Sequence, residues 1–178
     1  SYNADVYGAV TVSVYGGSVT NVFGCNNVFG APQNTVSVGV DGGIINNNVY
    51  GGGNQAAYTV ETNPNKDTAG NYRKYPVVNI NNGTIQGNVF GGGLGTTATV
   101  TGNPQVTVGD NVSGHVIAIK KSVYGGGEMA SVNGSTNVSV SNGTIGTEKD
   151  DLPQGVTACA VYGNVYGGGL GSDGTGSL

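Results

Sequence analysis

The chain has 178 residues, a formal net charge of −4 and only 9% charged residues, and 35 of its residues are glycine. This composition argues against nucleic-acid binding, because no basic stripe is present to neutralise phosphates. It also argues against insertion into a membrane, since the longest apolar run, residues 116–119, is far shorter than the roughly 20 residues of a transmembrane helix. Regularly spaced Val, Ile, Tyr and Phe argue against disorder, and the abundance of Gly and Asn favours strands and turns over helices.

Alternating segments that end in a Gly or Asn corner recur along the chain. Three copies agree closely, and in each the next apolar residue comes five positions after the second apolar residue: Val14 to Val19, Ile80 to Ile85, and Val140 to Ile145. Two copies are looser. Val38 reaches Ile44 after six residues, and Val108 reaches Ile119 only after an insertion that contains His115.

A second motif, Asn-Val-Tyr/Phe-Gly-Gly-Gly, follows each alternating segment. Its copies are residues 48–53, 88–93 and 164–169, residues 122–127, where Ser122 replaces the Asn, and a shorter copy at residues 21–24. A third short segment follows the glycines in most copies, at residues 57–61, 98–101 and 130–132. Each unit therefore offers three short strands that are separated by corner residues.

Five such units begin near residues 11, 35, 77, 105 and 137. They predict one repeat domain over residues 1–178, with polar inserts at 61–75 and 146–160 that become surface loops. A three-strand unit cannot bury its apolar side alone, so we expect the units to stack as a right-handed parallel β-helix, or β-solenoid, of about five turns. Two interior columns are expected, one of Val14, Val38, Ile80, Val108 and Val140, and one of Val22, Val49, Val89, Val123 and Val165.

An antiparallel reading stays open at this point. Asn82-Gly83 and Asn142-Gly143, each flanked by alternating apolar residues, are also typical hairpin turns. That reading predicts an all-β, glycine-rich repeat such as a β-prism or a propeller. The stacked reading explains more of the copies, because a corner between stacked strands equally needs a residue at positive φ.

The Val-x-Val-x-x-Gly-Thr-Ile and Asn-Val-Tyr-Gly-Gly-Gly motifs resemble those of secreted bacterial right-handed parallel β-helix repeat proteins, the class that includes adhesins and autotransporter passengers. The resemblance covers nearly the whole chain. It implies an extracellular or cell-surface location and a role in adhesion. We expect the chain to be part of a longer polypeptide, because its ends cut through a repeat.

An aromatic residue follows the Val of each second motif, giving one column of Phe23, Tyr50, Phe90, Tyr124 and Tyr166. If the Val points inward on a straight strand, the ring points outward and could stack on a sugar ring or on another protein. Alternatively, the rings pack across the glycines of the neighbouring unit. Tyr and Phe exchange freely in the column, which favours packing.

Asp41 and Asp110 occupy similar corners of the second and fourth units, with Asn82 between them and His115 close behind. Asp and Asn favour tight corners for structural reasons. The pair is nevertheless a candidate ligand site, because hydrolysis of glycosides uses two carboxyl groups about 5–10 Å apart. No nucleophile and base pair stands out, and the triple glycines lack the Lys-Ser/Thr of a phosphate loop. We therefore predict no catalytic residues, no metal and no cofactor.

The first hypothesis for function is a non-enzymatic structural or adhesive segment of a bacterial surface or secreted protein. Its partner would be a host or cell-surface glycan or protein. The alternative is a carbohydrate-binding or carbohydrate-active β-helix, similar to a lyase or hydrolase, that uses the aromatic column or the Asp41 and Asp110 corner. Self-association through the open ends of the stacked strands is a third expectation, because unpaired edge strands are templates for pairing.

Overall fold

A computed structural model describes residues 2–59, 66, 68–70, 73–147 and 163–172. Most of the predicted insert at 61–75 and nearly all of the insert at 146–160 lie outside the described residues. The described part is all-β and contains no helix. Its strands are β1 Val10–Val14, β2 Ser18–Val19, β3 Val22–Phe23, β4 Val36–Ile45, β5 Val49–Tyr50, β6 Val77–Ile85, β7 Val89–Phe90, β8 Val100–Thr101, β9 Gln105–Val108, β10 Ile117–Ile119, β11 Val123–Tyr124, β12 Val132–Asn133, β13 Asn137–Val140, β14 Thr144–Ile145 and β15 Val165–Tyr166.

Each strand pairs with the equivalent strand of the next unit, and every pair among the described strands is parallel. The long sheet runs β1-β4-β6-β10-β14, with β2 on β4 and with β9 between β6 and β13. The second sheet runs β15-β11-β7-β5-β3, and the third sheet joins β12 to β8. A hairpin would place its two strands side by side and antiparallel, so the antiparallel alternative is wrong for the described residues.

The unit boundaries agree with the sequence prediction, since the long sheet receives a new strand at Val10, Val36, Val77, Gln105 and Asn137. Glycines at the corners of this sheet have positive φ, as expected. Gly43 lies at φ 80°, Gly83 at 104° and Gly143 at 100°. Residues with a Cβ seldom adopt this conformation, which explains why glycine recurs at the corner.

One predicted column has the wrong register in the second unit. Val38 pairs with Val12 and Val78, whereas the partner of Val14 and Ile80 is Val40. The shift is two residues, so both valines still face inward, because side chains alternate with period two along a strand. The residue that enters the core after the corner also differs from the predicted one: Ile45 is fully buried, whereas Ile44 is 44% exposed.

Valine and isoleucine columns fill the space between the long sheet and the second sheet. This main core includes Val40, Ile80 and Val108 from the first sheet and Val49, Val89 and Val123 from the second, all fully buried. The second predicted column therefore has the expected register. A smaller cluster of Cys25, Val36, Tyr58 and Val100 lies toward the third sheet. Burial of each such side chain contributes roughly 1.5–3 kcal/mol.

Candidate functional site

The five aromatic residues form one continuous stack along the second sheet. Phe23, Tyr50, Phe90, Tyr124 and Tyr166 are paired in register across β3, β5, β7, β11 and β15. Successive ring centroids lie 4.7, 5.1, 4.9 and 4.9 Å apart, and the planes of neighbouring rings differ by 3° to 13°. The spacing of the strands thus sets the spacing of the rings.

The rings lie on the side of the second sheet opposite to its valines, but most of them are covered. Tyr50, Phe90 and Tyr124 are 1%, 0% and 5% exposed and form a separate cluster with Leu94 and Leu170 packed against it. The three middle rings are therefore packed against one another and against these leucines. Both faces of each middle ring are occupied by neighbouring rings, so the stack leaves no room for a sugar there. Exposed ring area is left at the two ends of the column, where Tyr166 is 42% exposed.

A polar network along the edge of the stack was not expected from the sequence. The Tyr50 hydroxyl donates to Glu128 Oε2, and Asn48 Nδ2 donates to the Tyr50 hydroxyl (2.8 Å) and to Glu128 Oε2 (3.3 Å). Glu128 belongs to the fourth unit and Tyr50 to the second, and Phe90 of the unit between them has no hydroxyl. The repeat gave no signal for Glu128, because the equivalent residues of the neighbouring units are Leu94 and Leu170.

Burial and hydrogen bonding keep the phenols of this network neutral. Burial raises the pKa of Tyr50, and its hydrogen bond to Glu128 raises the pKa further, which outweighs the lowering by Asn48. Burial also raises the pKa of Tyr124, with Tyr166 and Glu128 adding to the effect. At neutral pH both phenols therefore keep their protons, and the phenolate forms are not populated.

The asparagine of the second motif has a structural role that the sequence reasoning missed. Asn21 Oδ1 accepts the backbone N–H of Asn48 (3.0 Å), Asn48 Oδ1 accepts that of Asn88 (2.7 Å), and Asn88 Oδ1 accepts that of Ser122 (2.9 Å). In the fourth unit the Ser122 hydroxyl oxygen accepts the N–H of Asn164 at 3.3 Å. The recurrence of Asn immediately before the Val was the signal that could have revealed this column.

The structure does not give Asp41 and Asp110 a shared partner. Asp41 lies on the long sheet, pairs with Asn82 and accepts a hydrogen bond from Asn81 Nδ2 at 2.8 Å. Asp110 lies in the insertion of the fourth unit, where its Oδ1 accepts the backbone N–H of Val112 at 3.1 Å. Asp110 thus bonds to the backbone of its own turn, as Asp commonly does at corners, whereas Asp41 bonds to a side chain of the next unit.

The side chains of Asp110 and His115 lie within hydrogen-bond distance of each other in that insertion. His115 Nδ1 lies 2.8 Å from Asp110 Oδ2, and both side chains are partly exposed. Desolvation raises the pKa of the Asp110 carboxyl, but the hydrogen bond from Val112 and the interactions with His115 outweigh it, so the pKa lies below its usual value. The insertion is anchored to the third unit by Val116, whose N–H donates to Asn82 Oδ1 at 3.0 Å.

An open cleft of about 580 Å³ lies elsewhere, between the start of the chain and the first three units. Its lining includes Asn3, Asp5, Phe29, Gln55 and Thr97, and none of the predicted site residues contributes to it. In the described part of the chain, His, Cys, Asp and Glu form no group of three or more that could hold a metal ion. Nor does the described chain contain a helix long and apolar enough to span a bilayer.

Fold and site together define an all-β repeat protein with parallel sheets, stacked rings and hydrogen-bonded asparagine columns. Comparisons of the chain with models of known protein families, with curated proteins and with solved structures found no match. The function must therefore be inferred from the residues and their geometry.

Proposed function

We propose that this chain is a non-enzymatic structural and adhesive segment of a bacterial cell-surface or secreted protein, built as a right-handed β-solenoid of about five turns. The observation that carries the proposal is the continuity of the columns: equivalent valines and rings of successive units pair in register from β3 to β15, and the Asn or Ser before each valine hydrogen-bonds to the next unit. Such stacking gives a stiff scaffold whose exterior is free to vary, which suits a display role.

The chemistry of the described residues also favours a role without catalysis. Asp41 and Asp110, the carboxylates considered for hydrolysis, are engaged with Asn81 and with Val112 and His115. The phenols of Tyr50 and Tyr124 have raised pKa values and are not suited to accepting protons. The scaffold is therefore better fitted to holding a surface in place than to transferring a proton or attacking a bond.

Three measurements test this proposal. Protease treatment of intact cells of the source bacterium should remove the native protein, as expected for a surface location. The purified, labelled chain should bind saturably to host cells or to a matrix protein coated on a plate. Assays with uronic-acid and neutral polysaccharides should release no product. Recovery of the native protein from the cytoplasm, or cleavage of a polysaccharide by the purified chain, would contradict the proposal.

Carbohydrate binding is the second candidate, and the outward face of the long sheet supports it. Two columns of this face contain Thr11, Ser37, Val77, Gln105 and Asn137, and Ser13, Gly39, Asn79, Thr107 and Ser139. These residues are short or polar, and none is charged. Their rows are about 4.8 Å apart across strands and about 6.6 Å apart along them. Each column therefore presents four hydroxyl or amide side chains to a neutral polysaccharide and is interrupted once, by Val77 in the first column and by Gly39 in the second.

Substitutions on this face separate the two candidates. Asn79→Lys and Thr107→Lys place a charge and a long side chain on the outward face without touching the core. If this face binds neutral polysaccharide, affinity on a glycan array should fall at least about tenfold. Ser113→Lys, at an exposed position of the insertion, is the matched control and should bind like the original chain. Equal binding by all variants would show that this face does not bind polysaccharide.

A further inference from the structure

Two Asn-Gly corners of the long sheet have the same local sequence in different surroundings. Asn82 and Asn142 are each followed by Gly-Thr-Ile. Asn82 belongs to β6, in the middle of the long sheet, whereas Asn142 precedes β14, the last strand of that sheet in the described part of the chain. Any difference in their reactivity must therefore come from the fold.

An Asn-Gly pair can react with itself when the backbone nitrogen of the glycine reaches the side-chain carbonyl of the asparagine. The N–H of Gly143 donates to Asn142 Oδ1 at 2.7 Å, which holds the carboxamide carbon next to that nitrogen. Gly143 has no Cβ to obstruct the approach and lies at φ 100°. Asn142, Gly143 and Thr144 are all exposed, so water can reach the corner.

Asn82 has the same internal hydrogen bond but is held by the neighbouring unit. The N–H of Gly83 donates to Asn82 Oδ1 at 3.0 Å and also to the backbone oxygen of Val116 at 2.9 Å. The same Asn82 oxygen accepts the N–H of Val116 at 3.0 Å. For Gly83 to attack, both contacts with Val116 must open, so reaction requires local unfolding of the sheet.

We propose that Asn142 is a self-modification site, at which the folded chain converts asparagine to aspartate or isoaspartate while Asn82 is protected. The Gly143 nitrogen loses its proton and forms a bond to Asn142 Cγ. The bond from Cγ to Nδ2 breaks, and the amide leaves as ammonia. Water then opens the resulting succinimide at either carbonyl. The product adds one negative charge to a chain whose formal net charge is −4.

The remaining Asn-Gly pair is held in a different way. Asn133 lies in β12 beside Thr101, and its backbone oxygen accepts the N–H of Gly102 at 3.2 Å. A Cβ on Gly134 would collide with the backbone of Gly102, which shows how closely the third sheet packs here. Asn133 and Gly134 are exposed like Asn142, but the peptide of Asn133 is hydrogen-bonded to Gly102, so Asn142 is expected to react first.

The test is a time course of the folded chain at mildly alkaline pH and 37 °C, with peptide mass spectrometry of the two corners. Asn82 can react only while its corner is detached from Val116, which is rare in the folded chain. Asn142 should therefore react at least about tenfold faster than Asn82. In strong denaturant the two rates should agree within about twofold, since the three residues that follow each asparagine are the same. Hydroxylamine, which cleaves succinimides, should cut the folded chain between Asn142 and Gly143.

Asn142→Gln provides the matched control. Glutamine keeps the amide but forms a six-membered ring far more slowly, so modification and hydroxylamine cleavage at position 142 should disappear while Asn82 behaves as before. Circular dichroism confirms that the variant is folded. Equal rates at the two corners in the folded chain would overturn the proposal. So would faster reaction at Asn82 or Asn133, or an inert Asn142 under conditions in which the denatured chain reacts.

Discussion

At the scale of single residues, the asparagine column shows how one side chain links two units. The backbone N–H of Asn88 donates to Asn48 Oδ1, and Asn88 Oδ1 in turn accepts the backbone N–H of Ser122. Ser122 is fully buried, so water does not replace a lost acceptor easily. The column therefore satisfies backbone groups at a place where the chain leaves one sheet and enters the next.

Replacing Asn88 with alanine should lower the free energy of unfolding, because its side chain is the acceptor of a buried backbone N–H. Asn88→Ala removes the acceptor of the Ser122 N–H, and leaving a buried donor unpaired costs about 1–3 kcal/mol in the free energy of unfolding. Asn79→Ala, on the outward face of the same unit, is the control and should change that free energy by less than about 0.5 kcal/mol. Denaturant unfolding followed by circular dichroism measures both. Equal unfolding midpoints for the two variants would show that the column is not needed for stability.

At the scale of the element, the glycines after each aromatic ring allow neighbouring units to approach. The N–H of Gly91 donates to the backbone oxygen of Tyr124, and that of Gly125 to the oxygen of Tyr166. A Cβ on Gly91 would collide with the backbone oxygen of Gly125 and lie 3.1 Å from Pro104 Cβ. Close backbone approach explains the glycine here, because its φ is not in the left-handed region.

The last unit offers a matched site for testing this explanation. Gly167 is equivalent to Gly91, but an added Cβ there meets nothing within 4 Å. Gly91→Ala should destabilise the chain by about 1–3 kcal/mol through overpacking. Gly167→Ala should be tolerated, because the new methyl enters open space. Thermal unfolding measures the stability of both variants. A similar loss of stability in the two would mean that backbone flexibility, not close approach, explains the glycine.

Several elements could be predicted from the sequence because each repeats a pattern with a clear physical cause. Alternating Val and Ser predicted the strands, and the glycine corners predicted positive φ. The register of the second unit failed because Val36, Val38 and Val40 all fit an alternating strand, so Val38 was matched to Val14. The five-residue step from Val40 to Ile45 was the better guide.

The site was harder to predict than the strands, because burial depends on what covers a residue. The sequence placed the rings on the face opposite the valines, but it could not show that Leu94 and Leu170 would pack against the stack. The contact between Tyr50 and Glu128 spans 78 residues of chain and occurs once, so repetition gave no hint of it. Repeated contacts were visible in the sequence, whereas unique ones required the structure.

At the scale of the whole molecule, stability should vary along the stack. Units 2 to 4 have a neighbour on both sides, and their columns contain fully buried residues such as Val40, Ile80 and Val108. The last described unit has a neighbour on one side, and there Val140 is 43% exposed and Val165 48% exposed. In a stacked array each unit is stabilised mainly by its neighbours, so the end units should open first.

Amide hydrogen exchange measured by mass spectrometry tests this gradient. Peptides from β6 and β7 should exchange slowest, and peptides from β1 to β3 and β13 to β15 fastest, because an end strand can open without breaking pairs on two sides. Repeating the measurement at several chain concentrations tests whether the ends associate, as unpaired strand edges do. If they do, protection of the end strands from exchange should rise with concentration, and so should the particle mass measured by light scattering. Uniform exchange along the chain would show that it opens as one cooperative unit, contrary to the neighbour-by-neighbour stability inferred from its columns.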